Sequence, residues 1–540
     1  MEYTQFCSCR QFGSPTNFSP LKKPLLAIIF GFFLAVFPVF GQLTLSDVQT
    51  IVAQAVTRAT QVSSNSLIAI VDREGFVLGV WSVNGTTPAT STFTNMLADA
   101  IAKAGTASFL SSDQHAFTSR TAGFIIQQNF APGVMNSGPG PLFGVNFSNL
   151  RFSDINKIKA YSSTIVFNQT PGNSVIPVPQ PVTGGLAGTP GGVPLYKNGH
   201  LVGGLGVVHN GDNPTAIQVT QTPTVDEDVA LAGQIGFEPN PVILGSNVTI
   251  NGFRLAYINS TTSLGTLIPF GSLPGTAVAG YPLEPTKPLF AYPTIVLGGQ
   301  TNEIRQPIID DPSTVSLGAG VSRLKAADVT RILAQAANRA RTTRAGIRLP
   351  RGQITQAFIT VVNNPNSNGI TPVVLGTIRT PGATMFSWDV AVQKARTAVF
   401  FSSTTYAFSV RAVGFLAQEF YPPGINGTQP GLFWGLQERY SMFPEGIKNP
   451  LDGVVLTNAP ALDPNLTNGI TIFPGGFPLY SPSGVVIGAI GVSGDGVDQD
   501  DLIAASGTVG YQAPVSIRTD QFYYSNARLP YAKFPRNPAL

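Results

Sequence analysis

Two lysine–threonine pairs are the residues of this chain best spaced for chemistry. Lys103 and Thr106, and again Lys394 and Thr397, are three apart and so share one helix face. An ammonium beside a hydroxyl on such a face can hold a carboxylate. Arg120 and Arg411 follow at matching distances and offer a bidentate fork for the same purpose. Two alternatives stay open: Lys103 pairs with Asp99 one turn earlier while Thr106 bonds back to its own helix, and the arginines tie a helix to a loop. Histidine chemistry is restricted, because the three histidines, His115, His200 and His209, all fall in the first half of the chain. His200 sits at a hairpin turn and His209 at the end of a glycine-rich strand. The glycines at Gly191-Gly192 and Gly203-Gly204 lie inside a hairpin rather than between a strand and a helix, so they do not form a phosphate cradle. They predict close backbone approach by a ligand or a neighbouring subunit. Gly491-Val492-Ser493-Gly494-Asp495 misses the nucleophile elbow at its last position, and with no histidine nearby a Ser-His-Asp hydrolase is excluded there.

These residues occur in pairs because the chain contains one unit twice. Lys103-Ala104-Gly105-Thr106-Ala107, running on to Arg120-Thr121-Ala122-Gly123-Phe124, returns as Lys394-Ala395-Arg396-Thr397-Ala398, running on to Arg411-Ala412-Val413-Gly414-Phe415. Upstream, Asp47-Val48 with Ile51 matches Asp328-Val329 with Ile332. Downstream, Gly191-Gly192-Val193-Pro194-Leu195-Tyr196 matches Gly475-Gly476-Phe477-Pro478-Leu479-Tyr480. A unit this long is a duplicated domain, not a stacked solenoid repeat. The reading is a leader over 1–41, a first domain over 42–260, a Pro/Gly-rich connector over 261–321 with a strand at 294–297, and a second domain over 322–540.

Each copy must position its lysine and threonine with the same elements. An amphipathic helix opens the first, with Leu45, Val48, Ile51 and Ala55 at helical spacing and Thr44 or Ser46 as cap. Two β-rich runs joined at Asp72-Arg73-Glu74-Gly75 predict a hairpin. An alanine-rich helix over 93–110 carries Lys103 and Thr106, and a shorter helix follows over 119–128. A glycine-rich hairpin over 193–208 and a last helix over 225–236 complete the unit. The order predicts an α+β fold: two tandem domains, each a central antiparallel sheet with helices packed on it.

Composition narrows the function classes. Charged residues are 11% of the 540 residues and the net charge is +4, with no basic run, so a nucleic-acid partner is rejected. Lys22-Lys23 before the apolar run from Pro24 to Phe40 predicts a signal peptide cut near Gly41, and hence a periplasmic or secreted protein. The alternative is an uncleaved anchor, which would be the chain's sole membrane contact. Both cysteines, Cys7 and Cys9, lie in this leader, which leaves the body without thiol or disulfide chemistry.

Lys-Ala-x-Thr-Ala on a helix, then Gly-Gly-x-Pro-Leu-Tyr, a turn, Gly-x-x-Gly-Val-Ser-Gly and Asp-x-Asp before a last helix resembles the GlcG-type haem-binding (HbpS-like) family. The second copy carries the pattern most fully, in Asp389, Lys394-Ala395, Thr397-Ala398, Gly475-Gly476, Pro478, Gly488, Gly491-Val492-Ser493-Gly494 and Asp498-Gln499-Asp500. The resemblance implies an α/β domain, often oligomeric, that binds haem or a related tetrapyrrole. Some members degrade or sense haem and related domains handle corrinoids. It makes Lys103, Thr106, His115, Arg120, Lys394, Thr397, Tyr406 and Arg411 the candidate cofactor-binding residues. His115 and Tyr406 occupy equivalent positions and are the candidate axial ligands, since both residue types ligate haem iron; the alternative for His115 is a polar loop residue. The first copy departs from the pattern: Val208-His209 replaces Ser493-Gly494, Ala98 stands opposite Asp389, and Asp226-Glu227-Asp228 stands for Asp498-Gln499-Asp500. A non-catalytic structural or assembly module that has kept the fold without the ligand is the competing reading.

Overall fold

The computed structural model describes residues 42–87, 90–127, 130–134, 137, 140–142, 186–209, 221–286, 292–346, 353–367, 371–434, 447–448, 455–456 and 470–533. The leader, with Cys7, Cys9 and the expected cleavage point, lies outside them. The first repeat begins with helix α1 (Leu45–Val62), fixed at its start by a reciprocal cap. Thr44 Oγ1 accepts from the Asp47 amide at 3.1 Å and the Asp47 carboxylate accepts from the Thr44 amide at 2.7 Å. Strands β1 (Leu67–Asp72) and β2 (Val77–Ser82) form the expected hairpin, whose turn closes on Asp72 Oδ1, the acceptor for the amides of Glu74 and Phe76. Helices α2 (Ser91–Phe109) and α3 (Ser119–Ile125), strands β3 (Gly192–Lys197) and β4 (His200–Val208), and helix α4 (Val225–Gln234) follow.

The sheet sits between two helical layers. Leu67, Ala69 and Val71 point to α2, where they meet Leu97, Ala100, Ile101 and Ala104. Ile68 and Ile70 point the other way, to Val48, Ile51, Val52 and Ala55 of α1 and Val229 of α4. This strict alternation is the period-two geometry of a strand buried on both faces.

The connector joins both sheets instead of spanning between them as a linker. Strand β5 (Thr276–Ala277) pairs with β2, and the hairpin of β6 (Thr294–Leu297) and β7 (Gln300–Gln306) belongs to the sheet of the second repeat. That repeat contains α5 (Ala326–Thr342), β8 (Phe358–Asn363), β9 (Val374–Arg379), α6 (Ser387–Phe400), α7 (Val410–Leu416), β10 (Gly476–Tyr480), β11 (Val486–Ser493) and α8 (Val497–Gly507). The strand orders are β3-β4-β1-β2-β5 and β10-β11-β8-β9-β7-β6, antiparallel throughout. Four strands in each sheet thus share one topology, and the α+β class read from the sequence is the observed one.

The glycine-rich strands have a different purpose from the one their spacing suggests. A Cβ on Gly192 would lie 2.4 Å from the Lys103 carbonyl oxygen and one on Gly204 2.1 Å from that of Ala104; in the second repeat, one on Gly491 would lie 2.0 Å from that of Ala391. The close approach is made by the repeat's own helix, α2 on β3 and β4, and α6 on β11, and not by a ligand or a subunit.

The two repeats share a core. Phe109, Leu110, Phe117 and Ile125 of the first pack with Met385, Phe386, Trp388 and Val390 of the second, and the Phe386 amide donates to the Phe109 carbonyl at 3.4 Å. A buried ionic latch reinforces the join. Glu74, in the β1–β2 turn, accepts from Arg305 Nη1 at 2.9 Å and Nη2 at 3.1 Å, and Arg305 also holds Glu303 at 2.6 Å on β7. The guanidinium lies 3.5 Å over the Tyr292 ring. Burial alone would raise the Glu74 pKa; Arg305 outweighs it and holds the carboxyl at about 2.

Candidate functional site

Each repeat places its lysine at the junction of three elements. Lys103, midway along α2 and 1% exposed, reaches across β4 to α4: Nζ is 2.8 Å from Asp226 Oδ2, 3.1 Å from the Val207 carbonyl and 3.4 Å from Asp99 Oδ2. Lys394 repeats the arrangement on α6, with Asp500 Oδ2 and the Val492 carbonyl both at 2.8 Å. Glycines make the approach feasible. Gly191 and Gly475 have φ of +117° and +120°, and a Cβ there would meet the Cβ of Asp226 or Asp500 at 2.7 or 2.8 Å. Burial works against a charged Lys103, but the Asp226 and Asp99 carboxylates prevail and its pKa moves up. Burial likewise works against a charged Asp226, and Lys103 with His209 moves its pKa down. The pair is therefore an ammonium–carboxylate lock between α2, β4 and α4.

The threonines and arginines are engaged in the same way. Thr106 Oγ1 donates to the Ala102 carbonyl at 2.8 Å and accepts from the Ala187 amide at 2.7 Å; Thr397 Oγ1 accepts from the Thr471 amide at 3.1 Å. Arg120 forks onto Glu227 at 2.7 and 2.9 Å, while Arg411 reaches Asp501 at 2.9 Å and Asp498 at 2.7 Å. Both readings left open for Lys103 and Thr106 on one helix are thus present, the Asp99 contact being the longer one. The arginines tie α3 to α4, and α7 to α8, by their carboxylates. These contacts correct the alignment of the acidic segments. Asp226 corresponds in place and partner to Asp500, and Glu227 to Asp501, so the match of Asp226-Glu227-Asp228 to Asp498-Gln499-Asp500 is out of step by two residues.

The candidate axial ligands lie elsewhere. His115 is 3% exposed, with Nε2 2.8 Å from the Leu110 carbonyl and Nδ1 3.0 Å from Ser112 Oγ, so both ring nitrogens are occupied. Tyr406 is half-exposed and sets its ring edge-on to Phe522 at 5.1 Å. The loop carrying each is held by the tyrosine of the Pro-Leu-Tyr motif: Tyr196 donates to the Ser112 carbonyl at 2.7 Å and Tyr480 to that of Ser403 at 2.8 Å. His200 pairs with Asp113 at 2.9 Å, and His209 with Asp226 Oδ1 at 2.7 Å.

One cleft opens beside these residues, at the join between the repeats. Phe386, Val390, Lys394, Phe473, Ser493, Gly496, Val497 and Asp500 form its floor and Ile125, Pro141 and Leu142 of the first repeat form its wall, around a volume of about 30 Å³. Lys394 and Asp500 give it a polar end in an otherwise apolar lining. Sequence spacing alone did not find Asp500 as the partner of Lys394, nor the wall, because both arise from packing between distant segments. The repeated Gly-Gly before each Pro-Leu-Tyr, followed in each copy by a helix with an acidic first turn, is the signal that could have pointed to Asp226 and Asp500.

Residues 367–508 match the family model described as haem degrading protein HbpS-like, a span that includes Lys394, Thr397, Tyr406, Arg411 and Asp500. This stretch of the second repeat is similar to that family. Among solved structures the chain is similar to a PduOC:heme complex, at 22% identity over 36% of this chain and 98% of that one, with a TM-score of 0.23. It is also similar to the Klebsiella pneumoniae protein ORFY, at 20% identity over 36% and 96% of the two chains and a TM-score of 0.23. A double mutant of Streptomyces reticuli HbpS matches at 20% identity over 37% and 97%, with a TM-score of 0.20. No curated protein matches.

Proposed function

We propose that the protein binds a tetrapyrrole of the haem class through its HbpS-like second repeat, beside Lys394 and Asp500, with the first repeat as the wall of the site. The observation that carries this reading is the coincidence of the family match over 367–508 with the part of the molecule where the cleft opens. An apolar lining with a cation at one end suits the faces and carboxylates of such a ligand. The described residues do not fit an enclosed, histidine-ligated haem: about 30 Å³ is room for one water, and the three histidines do not line the cleft. Binding at this place requires the wall of Ile125, Pro141 and Leu142 to part.

The experiment is a titration of the mature protein with haemin, followed in the Soret band. Saturable binding with a shifted band is expected, weakened by Val390→Asp on the cleft floor. No shift and no saturation would remove the reading. Cobalamin in a parallel titration separates haem from corrinoid binding, and loss of the Soret band under reductant and oxygen reports haem degradation. His115→Ala and Tyr406→Phe are the spectral tests of axial ligation; an unchanged spectrum removes the residue concerned.

A second reading, a module that keeps the fold without a ligand, is favoured by one observation. Lys103, Lys394, Arg120 and Arg411 all contact carboxylates of the protein itself. We also propose export from the cytoplasm, resting on the Lys22–Phe40 segment, to be tested by the N-terminal residue of the mature protein. Among the described residues no helix is long and apolar enough to cross a membrane.

A further inference from the structure

We infer that the molecule docks head to tail on a second copy of itself, the exposed aromatic face of the second repeat covering the start of α2 in the first repeat of another chain. The chain itself shows what covers such a face. Phe109, at the end of α2, is 0% exposed because it packs with Leu110, Phe117 and Ile125 on the start of α6, at Met385, Phe386 and Trp388. Phe400 holds the same place at the end of α6 and is 41% exposed, beside Tyr406 at 46%, Leu432 at 60% and Trp434 at 37%. Phe401, Phe408 and Phe433 back this patch with ring centroids 4.9 to 6.4 Å apart. Contiguous exposed aromatics of this kind mark an interaction surface.

The contact inside the chain is not reciprocal. A two-fold arrangement would set Phe400 against the start of α2, but Phe93, Met96 and Leu97 there pack with Val278 and Tyr281 of the connector. A heterologous contact leaves a face at each end of the molecule, which a further copy satisfies by closing a ring or extending a filament. At the receiving end Thr92 and Asn95, at the positions of Ala383 and Phe386, are exposed, and the Asp99 side chain is 31% exposed. Docking would also build a second cleft. Leu416, Leu432 and Phe433 would supply the wall that Ile125, Pro141 and Leu142 supply within the chain, now over Lys103 and Asp226. Asn95, Asp99 and Thr189 stand there in place of Phe386, Val390 and Phe473, so this cleft would take a more polar ligand. The inference is independent of tetrapyrrole binding.

Sedimentation of the mature protein over a concentration series tests it, with two variants that each remove one end. Phe400→Glu breaks the aromatic face and Thr92→Arg/Asn95→Arg breaks the receiving face. Each is expected to weaken self-association by about tenfold or more. An equimolar mixture of the two retains one intact end of each kind and is expected to form a one-to-one dimer and nothing larger. Thermal melts, with Phe400→Ser as a milder variant, establish that folding is unchanged. Wild-type protein that stays monomeric overturns the inference. So does Thr92→Arg/Asn95→Arg protein that associates as strongly as wild type, which means that the aromatic faces meet each other. A mixture that stays monomeric overturns it as well.

Discussion

The two repeats build the same lock and surround it differently. In the first, Asp226 accepts from Lys103 on one oxygen and meets His209 on the other, so its carboxylate is closed off on both sides. In the second, glycine replaces that histidine, and Lys394 and Asp500 both line the cleft. Their far faces differ in the opposite sense. The end of α2 is buried against the second repeat, whereas the end of α6 faces outward. Duplication has left the framework common and divided the surfaces: one repeat gives up its outer face to become the wall of the other's cleft. The lysine, threonine and arginine common to both copies are therefore evidence of shared architecture, and a functional distinction is to be sought in the features that differ between the copies.

The join between the repeats is where disruption should cost most. Arg305→Met leaves the buried Glu74 without its cation, while the part-exposed Glu303 keeps Arg379 at 3.2 Å, and about 3–5 kcal/mol of destabilisation is expected. Chemical denaturation would show it as a lower midpoint, with the two repeats losing their common transition. Arg305→Met combined with Glu74→Leu and Glu303→Leu should recover most of the loss; if it does not, the latch is not what holds the repeats together. Lys103→Met and Lys394→Met test the lock itself, each at about 3 kcal/mol, the lower end of the same range. The comparison predicts that Lys394→Met alone also alters ligand binding. Equal effects of both substitutions on binding would contradict the division of roles.

Acid should open the latch. Glu74 has an ordinary pKa of 4.5 and is held at about 2 in the folded protein. A depressed carboxyl contributes stability that is fully present above pH 4.5 and is lost as the pH falls towards 2. The shift is worth roughly 3 kcal/mol. Glu74→Gln protein should show a flatter dependence of melting temperature on pH across that window, and an identical profile would assign the acid sensitivity to other carboxylates.

Much of the framework was legible from residue pattern. The β-rich run over Leu67–Asp72, the Thr44 cap and the alanine-rich helices pointed to the layered unit, because these are local signals that packing then exploits. Partners of the charged groups were not legible. Lys103 is three residues from Thr106 in sequence, but its partner Asp226 is on another helix, and only the fold brings the two within 2.8 Å. The same holds for Glu74, which reads as a turn residue until β7 carries Arg305 to it. His115 is the reverse case: an attractive residue type at a repeated position, whose ring nitrogens both find partners nearby in sequence, at Leu110 and Ser112. The connector was legible in part. Its expected strand at 294–297 is present, but the strands it pairs with were not readable, because pairing of an extended chain is set by the sheets beside it.

The smallest change gives the sharpest comparison. His209 is the side chain that closes Asp226 in the first repeat, and its counterpart is Gly494. His209→Gly removes a hydrogen bond to a charged group, at about 1.5–3 kcal/mol for a buried acceptor and towards the lower limit here because the histidine is partly exposed. Its structural effect is expected to be confined to the first repeat, with the lock from Lys103 to Asp226 intact. If closure by His209 separates the two sites, the substitution should give the first repeat a response to ligand that wild-type protein confines to the second. The measurement is haemin titration of His209→Gly in a Val390→Asp background, where the second repeat's cleft is impaired. Recovery of binding would make His209 the residue that distinguishes the repeats. No recovery, with the fold intact by circular dichroism, would shift the distinction to the wall that Ile125 and Leu142 provide beside Lys394.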